Sequence, residues 1–384
     1  MSYKYEELDK RLISVVPSKR QVEYQQREFY GFIHFTVNTY TNKEWGLGDE
    51  SPEIFNPYDL DAESWVKAAV SAGMKGLILT CKHHDGFCLW PSKYTEHSVK
   101  NSPYKDGKGD IVKELSDACK KYGIKFGVYL SPWDRNCAVY GTGKEYDDFY
   151  INQMTELLTN YGDVYTFWMD GACGEGPNGK KQVYDWERYY AKVRELQPEA
   201  VLSICGPDVR WCGNEAGVVR KSEWSVVSKL MTSPAFTAEL SQKEDNEEFR
   251  KRAIDPTNEE LGSRKVLENE PELAWYPAET DLSIRPGWFY HPEEDDKVRS
   301  LENLKDIYLK SVGGNTALLL NVCPNKEGRF HENDTKRLAE LGDFIRESFK
   351  DNLADKAEII SIPEKGDRGE DISSVRAVSY THLT

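Results

Sequence analysis

The sequence predicts an α/β protein whose main domain is a (β/α)8-type, TIM-like barrel. Near-continuous apolar runs alternate with amphipathic helical segments, and more than four such units precede residue 205. In each unit the longest loop follows the strand. Apolar strands of this kind are typical of a parallel sheet covered on both faces. The number of consecutive units and the position of the long loops favour a closed barrel over a doubly wound sheet.

The individual elements follow from periodicity and from helix-stop signals. Gly73 and Gly123 stand where a glycine commonly ends a helix. Residues 237–272 are highly charged and predict a long surface excursion. We expect a barrel domain over residues 1–350 and a β-rich segment over 351–384, too short for a complete β domain. Strands are predicted at 29–35, 76–81, 125–130, 164–169, 201–204 and 317–322, and helices at 62–72, 110–122, 147–161, 183–196, 297–311 and 333–349.

Composition narrows the class of partner. The 384 residues carry a net charge of −15, which argues against nucleic acid because phosphate binding needs clustered Lys and Arg. No run of eighteen apolar residues predicts a membrane span, and residues 1–20 hold no apolar stretch of signal-peptide length, which leaves the location open. The eight cysteines form no CxxC motif, and several lie in apolar strands, so we expect free, buried thiols.

Polar and aromatic residues gather where the predicted strands end, the edge at which barrel enzymes place their active sites. Asp170 follows an apolar strand in TFWMDGAC, beside Trp168. A carboxylate there could attack a sugar's anomeric carbon, or it could cap the next helix. The same edge holds His34, His83, His84, Tyr129 and the loop from Cys205 to Glu215.

If Asp170 is the nucleophile of a retaining glycosidase, a second carboxyl must stand about 5–5.5 Å away and act as acid and then as base. Glu215, in GPDVRWCGNEAG, is the first candidate. Asp208 and Glu223 are the alternatives, and sequence reasoning does not choose among the three.

The KHHDGF segment contains residue types that bind metal ions. Adjacent His residues on a strand point to opposite faces, which disfavours a shared ion and favours hydrogen bonding to sugar hydroxyls. The alternative is that one of His83 and His84 lies in the site and the other in the core. Five loop tryptophans are further candidates for pocket walls: Trp45, Trp90, Trp133, Trp211 and Trp288.

Several of these segments together resemble family 29 of the glycoside hydrolases, the α-L-fucosidases. They are FYGFIHFTVNTYTNKEWG, LTCKHHDGFCLWPSKYTEHSV, KFGVYLSPWDRN, FWMDGACGEG, GPDVRWCGNE, RPGWFYH and LLLNVCPNKEGRF, and the resemblance runs from about residue 20 to 349. It implies a (β/α) barrel followed by a β-sandwich, of which 351–384 would be a truncated start. It also implies retention of configuration, no cofactor and no metal.

The resemblance also assigns roles to positions. His34, Glu44, Trp45, His83, His84 and Tyr129 match residues that hold the fucose hydroxyls, and Trp168 and Trp288 match aromatic walls. Asp170 matches the nucleophile, and Glu215 the acid/base of the branch acting on α-1,3/1,4-linked fucose.

The implied function is a retaining exo-α-L-fucosidase whose partner is a fucosylated oligosaccharide, with no nucleic acid or membrane involved. Four alternatives stay open. They are an inactive fucose-binding protein, a fucosidase of broad or α-1,2 preference, an α-galactosidase and a metal-dependent hydrolase.

Overall fold

The computed structural model describes residues 6–220, 223–233 and 261–351. Residues 352–384, and with them nearly all of the expected β-rich segment, lie outside the described residues. So does most of the charged segment 237–272. The division into a barrel domain and a β-sandwich start therefore stays a prediction.

Eight parallel strands form a nearly closed barrel, which confirms the predicted fold class. The barrel strands are β1 (Phe29–Ile33), β2 (Gly76–Lys82), β3 (Lys125–Leu130), β4 (Thr166–Met169), β5 (Val201–Ile204), β6 (Arg210–Trp211), β9 (Ala278–Ser283) and β10 (Thr316–Asn321). Neighbouring strands pair in the order β5-β4-β3-β2-β1-β10-β9-β6. A parallel bridge between Ser203 and Val209 links the two ends of this order.

A small antiparallel ribbon stands beside the barrel. It pairs β7 (Val226–Ser228) with β8 (Leu273–Trp275). The α-helices of the described residues are α1 (Glu6–Ser14), α2 (Lys19–Gln25), α3 (Val37–Thr41), α4 (Ala62–Ala72), α5 (Ile111–Tyr122), α6 (Lys144–Asn160), α7 (Trp186–Leu196), α8 (Arg264–Leu267), α9 (Leu301–Ser311) and α10 (Glu332–Ser348).

The helix ends follow the predicted signals. Gly73 and Gly123 end α4 and α5 with φ of 86° and 71°, a left-handed conformation that glycine adopts without steric cost. Gly342 serves packing instead. A Cβ there would lie 1.8 Å from the carbonyl oxygen of Ser71, so only glycine lets α10 approach α4 this closely.

Two barrel strands, β6 and β9, were not predicted. β9 has the sequence AETDLS, in which Glu279 and Asp281 interrupt the apolar run expected of a buried strand. All six of its residues are nevertheless buried, because tertiary hydrogen bonds satisfy the carboxylates inside the barrel. The predicted helices and strands agree with the observed ones to within a few residues at each end.

None of the described helices is long and apolar enough to cross a membrane. All eight cysteines fall within the described residues. They are free and six of them are buried, as the sequence predicted.

Candidate active site

A cavity of about 740 Å3, measured to its open mouth, lies at the carboxyl ends of the barrel strands. All ten residues named above as catalytic or sugar-binding line it: His34, Glu44, Trp45, His83, His84, Tyr129, Trp168, Asp170, Glu215 and Trp288. The fold therefore brings the candidates together, although their chemical roles stay predictions.

Asp170 directly follows β4, and its carboxylate is held on both oxygens. The Tyr129 hydroxyl donates to Oδ2 at 3.0 Å, and the Ala172 amide donates to Oδ1 at 2.8 Å. The next helix, α7, begins at Trp186 and is capped by Asp185. Asp170 is thus not a helix cap, and its side chain faces the cavity as an oriented, partly exposed carboxylate.

Glu215 is the only one of the three acid/base candidates that lines the cavity. The Trp288 indole Nε1 donates to its Oε2 at 3.2 Å. A bridge between Ala216 and Leu282 places this loop against β9, so that Glu215 and Asp281 lie close together.

The two alternatives are bound in ion pairs elsewhere. Asp208 is buried and accepts hydrogen bonds from Arg20 and Arg194 and from the Leu202 amide. Glu223 is buried against Arg210 and Arg220, at 2.7 and 3.0 Å. Burial by itself raises the pKa of Glu223, but the two guanidinium groups outweigh it and the pKa is lowered. A carboxyl held ionised in this way is a poor proton donor.

Two of the cavity histidines are neutral, with a defined tautomer. The Asn321 amide nitrogen donates to the Trp288 carbonyl at 2.8 Å, so its Oδ1 faces His34 Nδ1 at 2.9 Å and must accept from it. Ser131 Oγ donates to the Trp133 carbonyl and therefore accepts from His84 Nδ1 at 2.7 Å. Burial lowers the pKa of each imidazole to about 4. Each Nε2 thus carries a lone pair, suited to accepting from a hydroxyl.

His83 and His84 both line the cavity, so the alternative that places one of them in the core is wrong. Their ring centroids lie 4.0 Å apart. The alternation expected along a strand fails here because β2 ends at Lys82, after a register shift between Thr80 and Lys82. Burial lowers the pKa of His83 well below its ordinary value.

Of the five loop tryptophans, three line the cavity, one packs against a lining tryptophan and one lies in the core. Trp45, Trp211 and Trp288 line the cavity. Trp133 packs edge-on against Trp45, with ring centroids 5.4 Å apart, and supports it from behind. Trp90 is buried, and its Nε1 donates to Glu156 at 2.8 Å, so it is a core residue.

Sequence reasoning missed two carboxylates on β9. Asp281 lines the cavity and accepts from Trp211 Nε1 at 2.6 Å. Burial raises its pKa well above the ordinary value, and the charges of Glu215 and Glu279 raise it further. Glu279 accepts from Trp168 Nε1 at 2.7 Å and from the hydroxyls of Tyr24 and Tyr30, and so fixes the Trp168 ring. The alternation of polar residues in AETDLS was the available signal.

Within the described residues, no three His, Cys, Asp or Glu side chains are grouped as ligands of a metal ion. Two of the cavity histidines instead have Nδ1 bonded to Asn321 and Ser131. The expectation of a metal-free site stays a prediction.

Comparison with known proteins agrees with this geometry. The family model described as Alpha-L-fucosidase matches residues 13–348. Alpha-L-fucosidase 1 of Arabidopsis thaliana is 43% identical over 354 residues, which are 92% of this chain and 65% of the relative. The chain thus spans slightly less than two thirds of that relative's length.

Solved structures lead to the same family. A putative α-L-fucosidase from Bacteroides ovatus is 53% identical with a TM-score of 0.82, covering 91% of this chain and 59% of its own. A family 29 fucosidase from Ruminococcus gnavus, in complex with fucose, is 34% identical with a TM-score of 0.72, covering 88% and 69%. With a family model matched over most of its length and a barrel of the expected form, this chain belongs to the α-L-fucosidase family, glycoside hydrolase family 29.

Proposed function

We propose that this protein is a retaining exo-α-L-fucosidase that hydrolyses terminal fucose by double displacement. One observation carries the proposal. Of the four carboxylates considered from sequence for catalysis, Asp170 and Glu215 alone line the cavity, and each is held by a neighbouring donor. Family membership and the fucose-bound relative from R. gnavus support fucose as the sugar.

In the first step Asp170 attacks the anomeric carbon while Glu215 donates a proton to the glycosidic oxygen. A bond forms between the carbon and the Asp170 oxygen, and the bond to the leaving group breaks with its electron pair on the protonated oxygen. The Tyr129 hydroxyl and the Ala172 amide keep the carboxylate aimed along one direction.

In the second step Glu215, now ionised, removes a proton from water. The water oxygen bonds to the anomeric carbon and Asp170 leaves as a carboxylate, so that two inversions give net retention. The Trp288 indole stays within reach of Glu215 in this role and stabilises its charged form.

The cavity suits an uncharged, hydroxyl-rich ligand. Neutral His34 and His84 offer Nε2 lone pairs, the Glu44 carboxylate is a further acceptor, and tryptophan faces provide apolar walls. A phosphorylated sugar would meet carboxylates here, since Glu44, Asp170 and Glu215 line the cavity and no Lys or Arg of the described residues does. These groups support a neutral sugar such as fucose.

For linkage we propose α-1,3 and α-1,4 bonds in Lewis-type structures. The proposal rests on the resemblance of GPDVRWCGNE to that branch of the family. Two residues of this segment, Trp211 and Glu215, line the cavity. A panel of α-1,2-, α-1,3-, α-1,4- and α-1,6-fucosylated oligosaccharides tests it. Preferential release from the α-1,2 compound would overturn it.

The central experiment compares wild type with Asp170→Ala, Glu215→Ala and the control Glu175→Ala on an aryl α-L-fucoside and on a Lewis-type oligosaccharide. Glu175 is a carboxylate in the loop after β4, outside the cavity lining. We expect wild type and the control to release α-fucose first, as followed by NMR. Asp170→Ala should be inactive. Glu215→Ala should lose about 10²–10⁴-fold on the oligosaccharide and less on the aryl glycoside, which needs little acid assistance.

Added azide separates the two roles. With Glu215→Ala, azide should attack the fucosyl-enzyme and give the α-azide. With Asp170→Ala, it should occupy the vacated space and give the β-azide. Full activity of Glu215→Ala would refute its role. Fucose binding by a wild type that releases no fucose would favour the inactive binding protein, and faster release of galactose would favour the α-galactosidase.

A further inference from the structure

His291 lies behind the sugar cavity, at the end of the segment that carries Trp288 and Phe289 into it. It is not part of the cavity lining. It faces a neighbouring groove on the other side of Glu44, lined also by Asn42, Lys43, Trp45, Glu293 and Glu294. The residue is 6% exposed and so has little water to bond with.

Both ring nitrogens of His291 face acceptors. Nε2 lies 2.6 Å from Glu44 Oε1, and Nδ1 lies 2.8 Å from Asn42 Oδ1. The orientation of the Asn42 amide is fixed, because its nitrogen donates to Glu293 Oε1 at 3.1 Å. A carboxylate and an amide oxygen can only accept, so each imidazole nitrogen must donate. A ring that donates from both nitrogens is an imidazolium.

The surrounding charges agree with this geometry. Burial lowers the pKa of His291, but the hydrogen bond and charge of Glu44, followed by the charges of Glu294 and Glu293, outweigh it, and the pKa lies above its ordinary 6.5. Lys43 is the only Lys or Arg among the described residues that line this groove.

Three hydrogen bonds from the protein occupy most of the acceptor sites of the Glu44 carboxylate. Its Oε2 accepts from the Trp288 amide at 2.9 Å, and its Oε1 accepts from the Phe289 amide at 3.2 Å and from His291. A carboxylate has about four lone-pair sites, so one site remains on Oε2. Because Glu44 lines the cavity, that site is available to a ligand hydroxyl.

We propose that His291, as a cation, is a positioning residue for Glu44: it fixes the carboxylate against the Trp288–Phe289 backbone so that its last lone pair meets a hydroxyl of the bound sugar. The inference rests on the proposed function in so far as the ligand is a sugar. His291 touches no reacting atom, so its loss acts on ground-state binding. It should raise KM and change kcat little.

A charged His291 makes KM depend on pH. Below its folded-state pKa, His291 donates to both partners. As the pH rises through that value the ring loses one proton and its positive charge, so one of the two contacts breaks and the hold of His291 on Glu44 weakens. We expect KM to rise with pH above 6.5 while kcat changes little over the same range. The stability that His291 contributes is fully present below 6.5 and is lost as the pH rises through the folded-state pKa.

The test compares His291→Gln, His291→Ala and the control His331→Gln. In His291→Gln the introduced side-chain amide can donate to Glu44 but does not titrate, so KM should stay within a few-fold of wild type and lose its rise with pH. His291→Ala should raise KM about 10- to 100-fold, since a hydrogen bond to a charged group is lost. His331 caps α10 outside the cavity, so its variant should keep the wild-type pH dependence. An unchanged KM profile in His291→Gln would overturn the proposal.

A direct measurement is independent of turnover. In wild type labelled with 15N-histidine, the signal missing from His291→Gln should show two protonated ring nitrogens at pH 6 and titrate above 6.5. A neutral ring at pH 6 would refute the inference even in an active enzyme. An imidazolium in a protein that releases no fucose would uphold its charge and refute the proposed function alone.

Discussion

Replacing Glu223 by Gln tests whether this buried carboxylate, one of the three acid/base candidates from the sequence, is structural or catalytic. The Glu223 side chain is 0% exposed, and those of Arg210 and Arg220 are 3% and 8% exposed. The Arg220 backbone amide also donates to it, at 3.2 Å. The substitution keeps the shape and removes the charge that compensates two buried cations.

The expected cost follows from that burial. Removing one partner of a buried ion pair costs about 3–5 kcal/mol, because the remaining charge is left uncompensated. Gln keeps one oxygen that can still accept from one arginine, so we expect the low end, a loss of about 3 kcal/mol in the free energy of unfolding. The total stability of a folded protein is typically about 5–15 kcal/mol, so the variant should still fold.

The assay is urea unfolding followed by tryptophan fluorescence, with kcat/KM measured well below the transition. Since the pKa of Glu223 is lowered from 4.5, its stabilisation is present above 4.5 and is lost as the pH falls through the folded-state pKa. The gap between wild type and variant should therefore shrink below pH 4.5. Glu175→Gln, in the loop after β4, should leave the curve unchanged at every pH.

Two results would refute this reasoning. A stability loss below about 1 kcal/mol would contradict the argument from burial, because it would fall in the range of surface pairs. An unchanged stability with a 100-fold lower kcat/KM would show that Glu223 acts on the substrate, which would return it to the acid/base role.

Three further predictions concern the cavity itself. Tyr129→Phe should lower kcat/KM about 10- to 100-fold, since it removes a hydrogen bond to the charged Asp170. Tyr150→Phe is the control and should leave kcat/KM unchanged, because the Tyr150 hydroxyl bonds to a backbone carbonyl. Steady-state kinetics on an aryl fucoside measure both variants. Asp281→Asn keeps an acceptor for Trp211 and removes a buried carboxyl whose pKa is raised, so the free energy of unfolding should increase above pH 3.8. Thermal melts at pH 5 and 8 that show no increase would contradict this expectation. A chelator should leave turnover unchanged, and a loss restored by one added divalent metal would refute the metal-free site.

The barrel could be predicted because parallel strands covered on both faces must be apolar along most of their length. Strands such as GLILTC and KFGVYL carry that signal locally. The strand AETDLS does not, because Glu279 and Asp281 face the barrel interior and are satisfied only by Trp168, Trp211 and the tyrosines. Those donors are distant in the chain, and no local pattern specifies them.

The acid/base candidates show the same division. Glu215, Asp208 and Glu223 lie within twenty residues of one another and look alike as loop carboxylates. Asp208 forms ion pairs with Arg20 of α2 and Arg194 of α7. Glu215 lines the cavity and accepts a hydrogen bond from Trp288, which lies more than seventy positions further along the chain.

By itself the sequence determined six of the eight barrel strands, the fold class and many of the residues at the carboxyl edge of the barrel, because these depend on local periodicity or on position after a strand, whereas Glu44 was expected only from the resemblance to the family. The tertiary structure decided that His83 and His84 share the cavity, that Asp281 joins them and that His291 is held as a cation. Each of these depends on which donors and acceptors the closed barrel brings within hydrogen-bonding distance, and burial makes such pairings obligatory.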